Sequence, residues 1–290
     1  MIALLDLILA AGAAAAPMPE SPACQPGADW KADIPAPPRR IHGNAWYVGT
    51  CGLSVILLTG DRGHILLDGG MESSVPLIEA NIRRLGFRLQ DIRYILNSHA
   101  HYDHAGGLAR LQRDTGATVV ARGDDADAIE NGRGTRTDPQ FLSVDAFAPA
   151  SDVRRIDDGE TLGLGKLAIT ALATPGHTPG GTSWTWQSCE GDRCLHMVYA
   201  DSLTALTDDE YRYRDHPDLL ARLRASIAAV AGTPCDLLLT PHPDASRLWE
   251  RIGPGAQHPL IDTGACRRYA ERSADSLAKR LAKENDSPAR

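Results

Sequence analysis

Residues 97–104 hold an unusual concentration of metal-binding side chains: Asn97-Ser98-His99-Ala100-His101-Tyr102-Asp103-His104. Three of the ten histidines of the chain and one aspartate fall within the last six of these positions. A solvated loop gains nothing from such a cluster, and a hydrophobic core would be penalised by it because buried polar groups need partners. The stretch therefore predicts a metal site.

Three further segments with polar residues share one property with this cluster: each of them follows a predicted strand. Residues 92–96 predict a buried strand that runs directly into the cluster. The other predicted strands and the residues that follow them are 167–173 with His177, 196–200 with Asp201 and Ser202, and 236–240 with His242. Strands that end at one edge of a sheet can bring distant residues into one cleft, so we expect a shared site.

The spacing within the cluster predicts two neighbouring metal positions. His99 and His101 are two residues apart and point the same way on an extended segment. Asp103 and His104 follow on the turn into a predicted helix and can face a second point. Imidazole suits zinc, whereas magnesium and calcium prefer oxygen ligands. A catalytic zinc keeps three protein ligands and one open position, so six ligands would hold two Zn²⁺ ions.

The remaining pattern predicts an α/β fold made of two sheets with helices on their outer faces. Further predicted strands are 45–50, 53–59, 64–67, 118–121 and 183–187. Predicted helices are 76–85, 105–115, 217–230 and 266–283, with a short one near 125–130. That short helix lies in a long polar segment, residues 122–150, and a loop of this length inside a domain is often functional.

Composition and charge limit the possible partners. The 290 residues are 43% hydrophobic and 23% charged, as in ordinary globular proteins, and the net charge is −7. The chain has no long basic run, so we expect no nucleic-acid partner. Its length allows one large or two small domains, and we expect a single domain over residues 17–290.

Residues 1–16 are apolar and then alanine-rich. They are too short for a comfortable membrane span, and they end in small residues that resemble a signal-peptide cleavage site. We therefore predict a signal peptide, periplasmic export and no membrane association after cleavage. Asp6 interrupts the apolar run, and no Lys or Arg precedes it, so a short N-terminal helix is the alternative.

The six cysteines support export, because disulfides form in oxidising compartments. None lies beside the histidine cluster and none forms a C-x-x-C pair. Cys189 and Cys194 bracket a turn-like stretch between two apolar runs. Our pairing hypothesis is Cys24–Cys51, Cys189–Cys194 and Cys235–Cys266, although six cysteines permit many other pairings. Six reduced, buried cysteines are the alternative.

The string His99-Ala-His-Tyr-Asp-His104, with Gly176-His177 and Pro241-His242-Pro243 downstream, resembles the signature of the metallo-β-lactamase superfamily. The stretches 174–186, 198–204 and 240–243 resemble the third subclass of the zinc β-lactamases. The resemblance covers residues 41–283 and implies an αβ/βα sandwich with two mixed β-sheets. It also implies His99, His101 and His177 as ligands of a first zinc, and Asp103, His104 and His242 as ligands of a second. The three cysteine pairs are similar to the disulfides of some secreted members.

The implied activity is opening of the β-lactam ring of penicillins, cephalosporins and carbapenems, which gives antibiotic resistance, by a secreted monomer. Asp103 would also orient the attacking hydroxide as a catalytic residue. Ser202 and Thr204 would bind the lactam carboxylate, and Gln140 is similar to a substrate-contacting residue in a few relatives. Asp68 would support the zinc loop.

Two alternatives remain at the level of the sequence. One is a lactonase or thioesterase of the same superfamily, in which an aspartate at the position of Asp201 bridges both metals. Such enzymes are mainly cytosolic, which disagrees with the signal-like start and the paired cysteines. The other alternative is a non-catalytic zinc-binding member, and the intact set of six ligands argues against it.

Overall fold

A computed structural model of the protein describes residues 24–253 and 255–286. The predicted signal peptide, residues 1–16, lies outside the described residues. The strands are β1 Arg39–His42, β2 Ala45–Tyr47, β3 Ile56–Gly60, β4 Gly63–Leu67, β5 Ile92–Leu96, β6 Thr118–Ala121, β7 Arg154–Arg155, β8 Thr161–Leu164, β9 Leu167–Ala173, β10 Thr182–Glu190, β11 Arg193–Tyr199 and β12 Leu237–Leu239. The α-helices are α1 Val75–Arg84, α2 Tyr102–Ala105, α3 Leu108–Thr115, α4 Gly123–Asn131, α5 Pro217–Gly232, α6 Leu248–Arg251 and α7 Ala265–Asp286.

The strands form two mixed sheets. The seven-stranded sheet runs in the order β1-β2-β3-β4-β5-β6-β7, antiparallel up to β4 and parallel from β4 to β7. The five-stranded sheet runs in the order β12-β11-β10-β9-β8, and only its β11–β12 pair is parallel. The parallel strands β5 and β12 therefore end at their sheet edges in the loops that carry the predicted ligands.

Three apolar clusters hold the layers together. The cluster between the sheets contains Tyr47 and Leu67 from the first sheet and Trp184 and Leu239 from the second. The outer clusters pack the first sheet against α1, α3 and α4, and the second sheet against α5 and α7. In β12, Leu237 and Leu239 face the inner cluster and Leu238 faces the outer one, as strand alternation requires. The predicted αβ/βα sandwich is therefore confirmed.

The elements agree with the sequence prediction except where they are short or lack an apolar pattern. Strands β5, β6 and β9 have the predicted bounds. Strands β1, β7 and β8 were not predicted, and β7 consists of two exposed arginines. The single helix predicted over 105–115 is two helices, α2 and α3, separated by Gly106 and Gly107. A Cβ on Gly107 would lie 2.2 Å from the carbonyl oxygen of Gly69, so this close approach requires glycine.

The structure confirms all three disulfide pairs: Cys24–Cys51, Cys189–Cys194 and Cys235–Cys266. The first fastens residues before β1 to the loop after β2, the second closes the β10–β11 hairpin, and the third joins the segment before β12 to α7. None of the six cysteines is left for the metal site. None of the helices in the described part of the chain is long and apolar enough to cross a membrane.

Candidate metal centre

All six predicted ligands converge at one edge of the sandwich, in loops that follow strand ends. Strand β5 leads into His99 and His101, and α2 presents Asp103 and His104 one turn later. Strand β9 leads into the turn that carries His177, and β12 leads into the turn that carries His242. The sandwich thus brings together residues that are up to 143 positions apart, because parallel strands end on the same side of their sheets.

The first trio, His99, His101 and His177, is buried, and each residue offers one ligand atom within 4.8 Å of the others. Their ring centroids are 4.7–4.9 Å apart, and the rings meet edge to face or strongly inclined. Three imidazoles buried side by side would be costly if the nitrogens that face one another had no shared partner. The donor set therefore fits a metal ion that prefers nitrogen ligands.

In each ring of the first trio, one of the two nitrogens contacts an oxygen atom of a residue outside the trio. His99 Nδ1 lies 2.7 Å from Oδ1 of Asp201, and His101 Nε2 lies 3.0 Å from Oδ2 of Asp138. His177 Nδ1 lies 3.1 Å from the carbonyl oxygen and 3.0 Å from the hydroxyl oxygen of Thr204. Such partners set the tautomer and the ring orientation of metal-binding histidines, so the opposite nitrogens are left to bind a metal.

The second trio, Asp103, His104 and His242, has the spacing of a preformed metal cradle. Oδ2 of Asp103 lies 3.1 Å from Nε2 of His104 and 3.2 Å from Nε2 of His242, and the two Nε2 atoms are 3.2 Å apart. Ligands of a tetrahedral zinc with bonds near 2.0 Å are separated by about 3.3 Å. Three donor atoms at nearly equal spacing therefore fit a zinc ion.

Electrostatics differ between the two trios. Burial lowers the pKa of His99 well below its ordinary value and lowers the pKa of His177 to about 3, so both rings are neutral at pH 7. Burial alone would raise the pKa of Asp103, but His104 and His242 hold it well below its ordinary value. Burial alone would lower the pKa of His104, but Asp103 raises it. The second trio thus favours a positive charge at its centre.

Asp68 supports the cluster from within the core, as the sequence predicted for a partner of the zinc loop. It is fully buried and has a φ of 61°, which is unusual for a residue other than glycine. Its carboxylate accepts hydrogen bonds from the backbone N–H and the hydroxyl of Ser98 and from the hydroxyl of Tyr199. It also lies 3.9 Å from Nδ1 of His104. Asp68 therefore connects the loop after β5 to strand β11 of the other sheet.

Five of the six predicted ligands, all except His104, line a cavity of about 620 Å³, which the three predicted substrate contacts also line: Ser202, Thr204 and Gln140. The amide nitrogen of Gln140 lies 3.3 Å from Nε2 of His177. Trp30, Met71, Tyr102, Val144, Leu206 and Tyr269 form much of the apolar wall.

A Ser-x-x-Lys pattern, the arrangement used by serine β-lactamases, occurs at Ser276–Lys279 on α7. Both of those side chains are exposed to solvent and do not line this cavity.

Asp138, Asp125 and Trp30 belong to the site but were not singled out from the sequence. Asp125 accepts hydrogen bonds from the N–H of Ala100, the hydroxyl of Thr178 and the N–H of Gly180, so it ties the two histidine loops together. Trp30 packs edge to face against His242, with centroids 6.1 Å apart. The two aspartates lie in the polar segment 122–150, whose length was the one signal for them. No local pattern indicates which carboxylate reaches which ring.

Comparison with known proteins identifies relatives of the whole fold. A family model described as the Metallo-beta-lactamase superfamily matches residues 48–192. MEM-A1, a subclass B3 metallo-beta-lactamase from a soil metagenome library, has a TM-score of 0.85 and 44% identity, covering 89% of this chain and 99% of its own. Metallo-beta-lactamase SMB-1, solved with 2-mercaptoethanesulfonate, has a TM-score of 0.84 and 45% identity, covering 88% and 99%.

Curated sequence relatives match over a shorter stretch. A hydroxyacylglutathione hydrolase of Methylococcus capsulatus is 33% identical over 125 residues, which are 43% of this chain and 40% of that protein. A probable metallo-hydrolase of Burkholderia pseudomallei is 31% identical over 143 residues, or 45% and 46%. The chain thus spans less than half the length of these curated relatives, whereas it covers the two structural relatives almost entirely.

Proposed function

Because the chain belongs to the metallo-β-lactamase superfamily, we propose that it is a dizinc hydrolase that opens the β-lactam ring. Its substrates are penicillins, cephalosporins and carbapenems, and its activity gives antibiotic resistance. MEM-A1 and SMB-1 are metallo-β-lactamases by description. The breadth of the substrate range, the two zinc ions and the assignment of site residues are parts of this proposal.

The observation that carries the proposal is the orientation of Asp201 relative to Ser202. Asp201 is fully buried, and its Oδ1 lies 2.7 Å from Nδ1 of His99, on the side of the ring away from the ligand cluster. An aspartate that bridges two metal ions would have to reach both trios, as in the thioesterases and lactonases of the superfamily. Ser202 instead faces the cavity. This arrangement favours a β-lactamase in which the serine binds substrate and the aspartate orients His99.

The residues of the chain have distinct tasks in this reaction. When bound, zinc supplies a Lewis acid and lowers the pKa of water at the site toward about 7. Asp103, held ionised by its histidine neighbours, orients the attacking water, whose oxygen bonds to the lactam carbonyl carbon as the C–N bond breaks. The ring nitrogen takes up the proton.

Substrate recognition falls to the three cavity side chains. The hydroxyl groups of Ser202 and Thr204 donate hydrogen bonds to the lactam carboxylate, directly or through water. Gln140, which lies beside His177 and lines the same cavity, contacts the substrate. These contacts fix the ring so that its carbonyl carbon meets the attacking water in a productive orientation.

We further propose that the protein is exported to the periplasm with removal of residues 1–16, and that residues 17–290 act as a single-domain monomer that does not associate with a membrane. Three disulfides support an oxidising compartment. The thioesterase alternative has one observation in its favour, which is the partial identity to a hydroxyacylglutathione hydrolase.

The test compares hydrolysis of a carbapenem and of a glutathione thioester by the purified protein, with and without a chelator. We expect chelator-sensitive lactam hydrolysis and negligible thioester hydrolysis. Ser202→Ala should raise KM roughly ten- to a hundredfold, as for the loss of a hydrogen bond to a charged group, with zinc content unchanged. Ser151→Ala, on the exposed surface beside Gln112, is the matched control.

Asp201→Asn separates the two candidate functions. The asparagine oxygen can still accept from His99, so we expect two zinc ions and measurable lactam hydrolysis. Loss of a zinc ion in Asp201→Asn, together with unchanged lactam kinetics in Ser202→Ala, would assign the site to the thioesterases and lactonases and end the β-lactamase proposal.

A further inference from the structure

A second cavity, of about 240 Å³, lies behind the turn that follows His242. Four arginine side chains line it: Arg247, Arg251, Arg268 and Arg272. Asp262 is the one carboxylate among its described lining residues. Arginine stays protonated in proteins, so this small space concentrates positive charge. The chain as a whole carries a net charge of −7, so the concentration is a local feature.

The charges of this cavity are only partly balanced within the described residues. Arg247 pairs with Glu250, and Arg268 pairs with Asp262. Arg251 is 6% exposed, and its described hydrogen bonds go to the carbonyl oxygens of Leu238, Ser246, Pro259 and Leu260. Burial lowers the pKa of Arg251, the charge of Asp262 raises it, and the charges of Arg268 and Arg247 lower it further. Asp262 and Glu250 are thus the two carboxylates that face four arginines, and the site is short of negative charge.

The position of Arg268 adds to the imbalance. It stands in the first turn of α7, which begins at Ala265 and is 22 residues long, and Arg272 stands one turn later. The amino end of a helix carries a partial positive charge that falls off within the first turn, so the charge of Arg268 is unfavourable there. Arg272 donates to the carbonyl oxygen of Ala245 and Arg268 to Asp262. These two hydrogen bonds do not by themselves account for four arginines around one cavity at this end of the helix.

We infer that this cavity is a binding site for a small tetrahedral oxyanion, chemically a phosphate. Arg251 supplies a buried charge. Arg268 and Arg272 are exposed, each makes one described hydrogen bond, and a guanidinium has five N–H groups, so both have donors left for an anion. The bound anion offsets the surplus positive charge and accepts hydrogen bonds from guanidinium groups. The site is separate from the cavity that the predicted metal ligands line, so the inference does not rest on the proposed hydrolase activity.

The experiment is a calorimetric titration of the metal-loaded protein with inorganic phosphate, at constant ionic strength maintained with chloride. Three forms are compared: the wild type, Arg268→Ala/Arg272→Ala, and Arg267→Ala. Arg267 is exposed on the same helix and does not line the cavity, so its variant shows the effect of losing one positive charge outside the cavity. Phosphate bound at the metal centre is common to all three forms and cancels in the comparison.

We expect a saturable site in the wild type and in Arg267→Ala that is weakened roughly ten- to a hundredfold in the double variant, as for lost charged hydrogen bonds. Far-ultraviolet circular dichroism checks that the double variant is folded. Arg251→Lys provides a second variant, because it keeps the charge and loses the fork. Equal phosphate binding in all forms, or binding that never saturates, would mean an adventitious ion only and would overturn the inference.

Discussion

The two predicted metal-binding trios are built in different ways, although they lie side by side. In the first, each ring has a buried or backbone acceptor behind it: Asp201, Asp138 or the carbonyl of Thr204. In the second, the side chain of His242 is 34% exposed, and its described neighbour outside the trio is the edge of Trp30. The first trio is therefore held by polar contacts from the core, and the second partly by a peripheral segment.

This difference predicts unequal affinities for metal. A ligand whose orientation is already fixed loses little freedom when it binds an ion. We expect the first position to hold its ion more tightly, and the second to respond more strongly to changes outside the core. Four experiments test that comparison.

The largest effect should come from removing a ligand of each trio. His101→Ala should abolish lactam hydrolysis, by more than about a hundredfold, since even the loss of an outer partner costs about 10–100-fold. His242→Ala should leave one ion bound at the first position. Elemental analysis of both variants measures the difference. A wild-type enzyme that is fully active with one tightly held ion would contradict the two-zinc proposal.

The Cys24–Cys51 disulfide should matter next, because it fastens the segment that carries Trp30. It closes a loop of 27 residues, so Cys24→Ser/Cys51→Ser should lower the free energy of unfolding by about 3.5 kcal/mol. In this variant, the second metal position (Asp103, His104 and His242) should lose its ion on dialysis, while the first position retains its ion.

The matched control is Cys189→Ser/Cys194→Ser, which opens a hairpin with a separation of 5 residues. It should cost about 2 kcal/mol and leave the retention of both ions unchanged. Denaturant unfolding and metal analysis compare the two variants. Titration of the denatured, unreduced wild type should find no free thiols, and six thiols would refute export to an oxidising compartment.

Asp138 should affect only the first trio. It is 3% exposed, and its two oxygens accept from His101 and from the backbone N–H of Gln140. Asp138→Ala should weaken metal binding at the first position about 10–100-fold, whereas Asp138→Asn, which keeps an acceptor, should lose less. Competition with a chromophoric chelator measures the affinity, and nuclear magnetic resonance of the His101 ring reports its tautomer. If both variants bind metal at the first position as tightly as the wild type does, Asp138 does not position His101.

Thr204→Val should give the smallest change in metal affinity. The hydroxyl and the carbonyl of Thr204 share the N–H of His177, so the carbonyl still accepts when the hydroxyl is absent. We expect the affinity at the first position to fall about two- to tenfold, as for one neutral hydrogen bond, with a separate rise in KM. An unchanged KM would remove Thr204 from the proposed substrate contacts.

Local patterns predicted the frame of the site well. Two kinds of pattern needed only neighbouring residues in the chain. They are the apolar runs of β5 and β9 and the turn-like stretch between Cys189 and Cys194. Strands β1, β7 and β8 escaped prediction because they are two to four residues long and their pairing with longer strands maintains them. The six-residue histidine string indicated ligand types because imidazole and carboxylate chemistry does not depend on the fold.

By itself, then, the sequence determined the class of two sheets with outer helices, the ends of β5, β6 and β9, and the residue types of the predicted metal site, and it offered the cysteine pairs as one hypothesis among several. Only the tertiary structure decided which acceptor stands behind which histidine, since Asp201 is 102 residues from His99 and Asp138 is 37 residues from His101. It also decided that Asp201 turns away from the ligand cluster and that Trp30 flanks His242. Such contacts are set by how two sheets and their loops meet, and a hydrogen bond depends on a few tenths of an ångström that no local sequence pattern encodes.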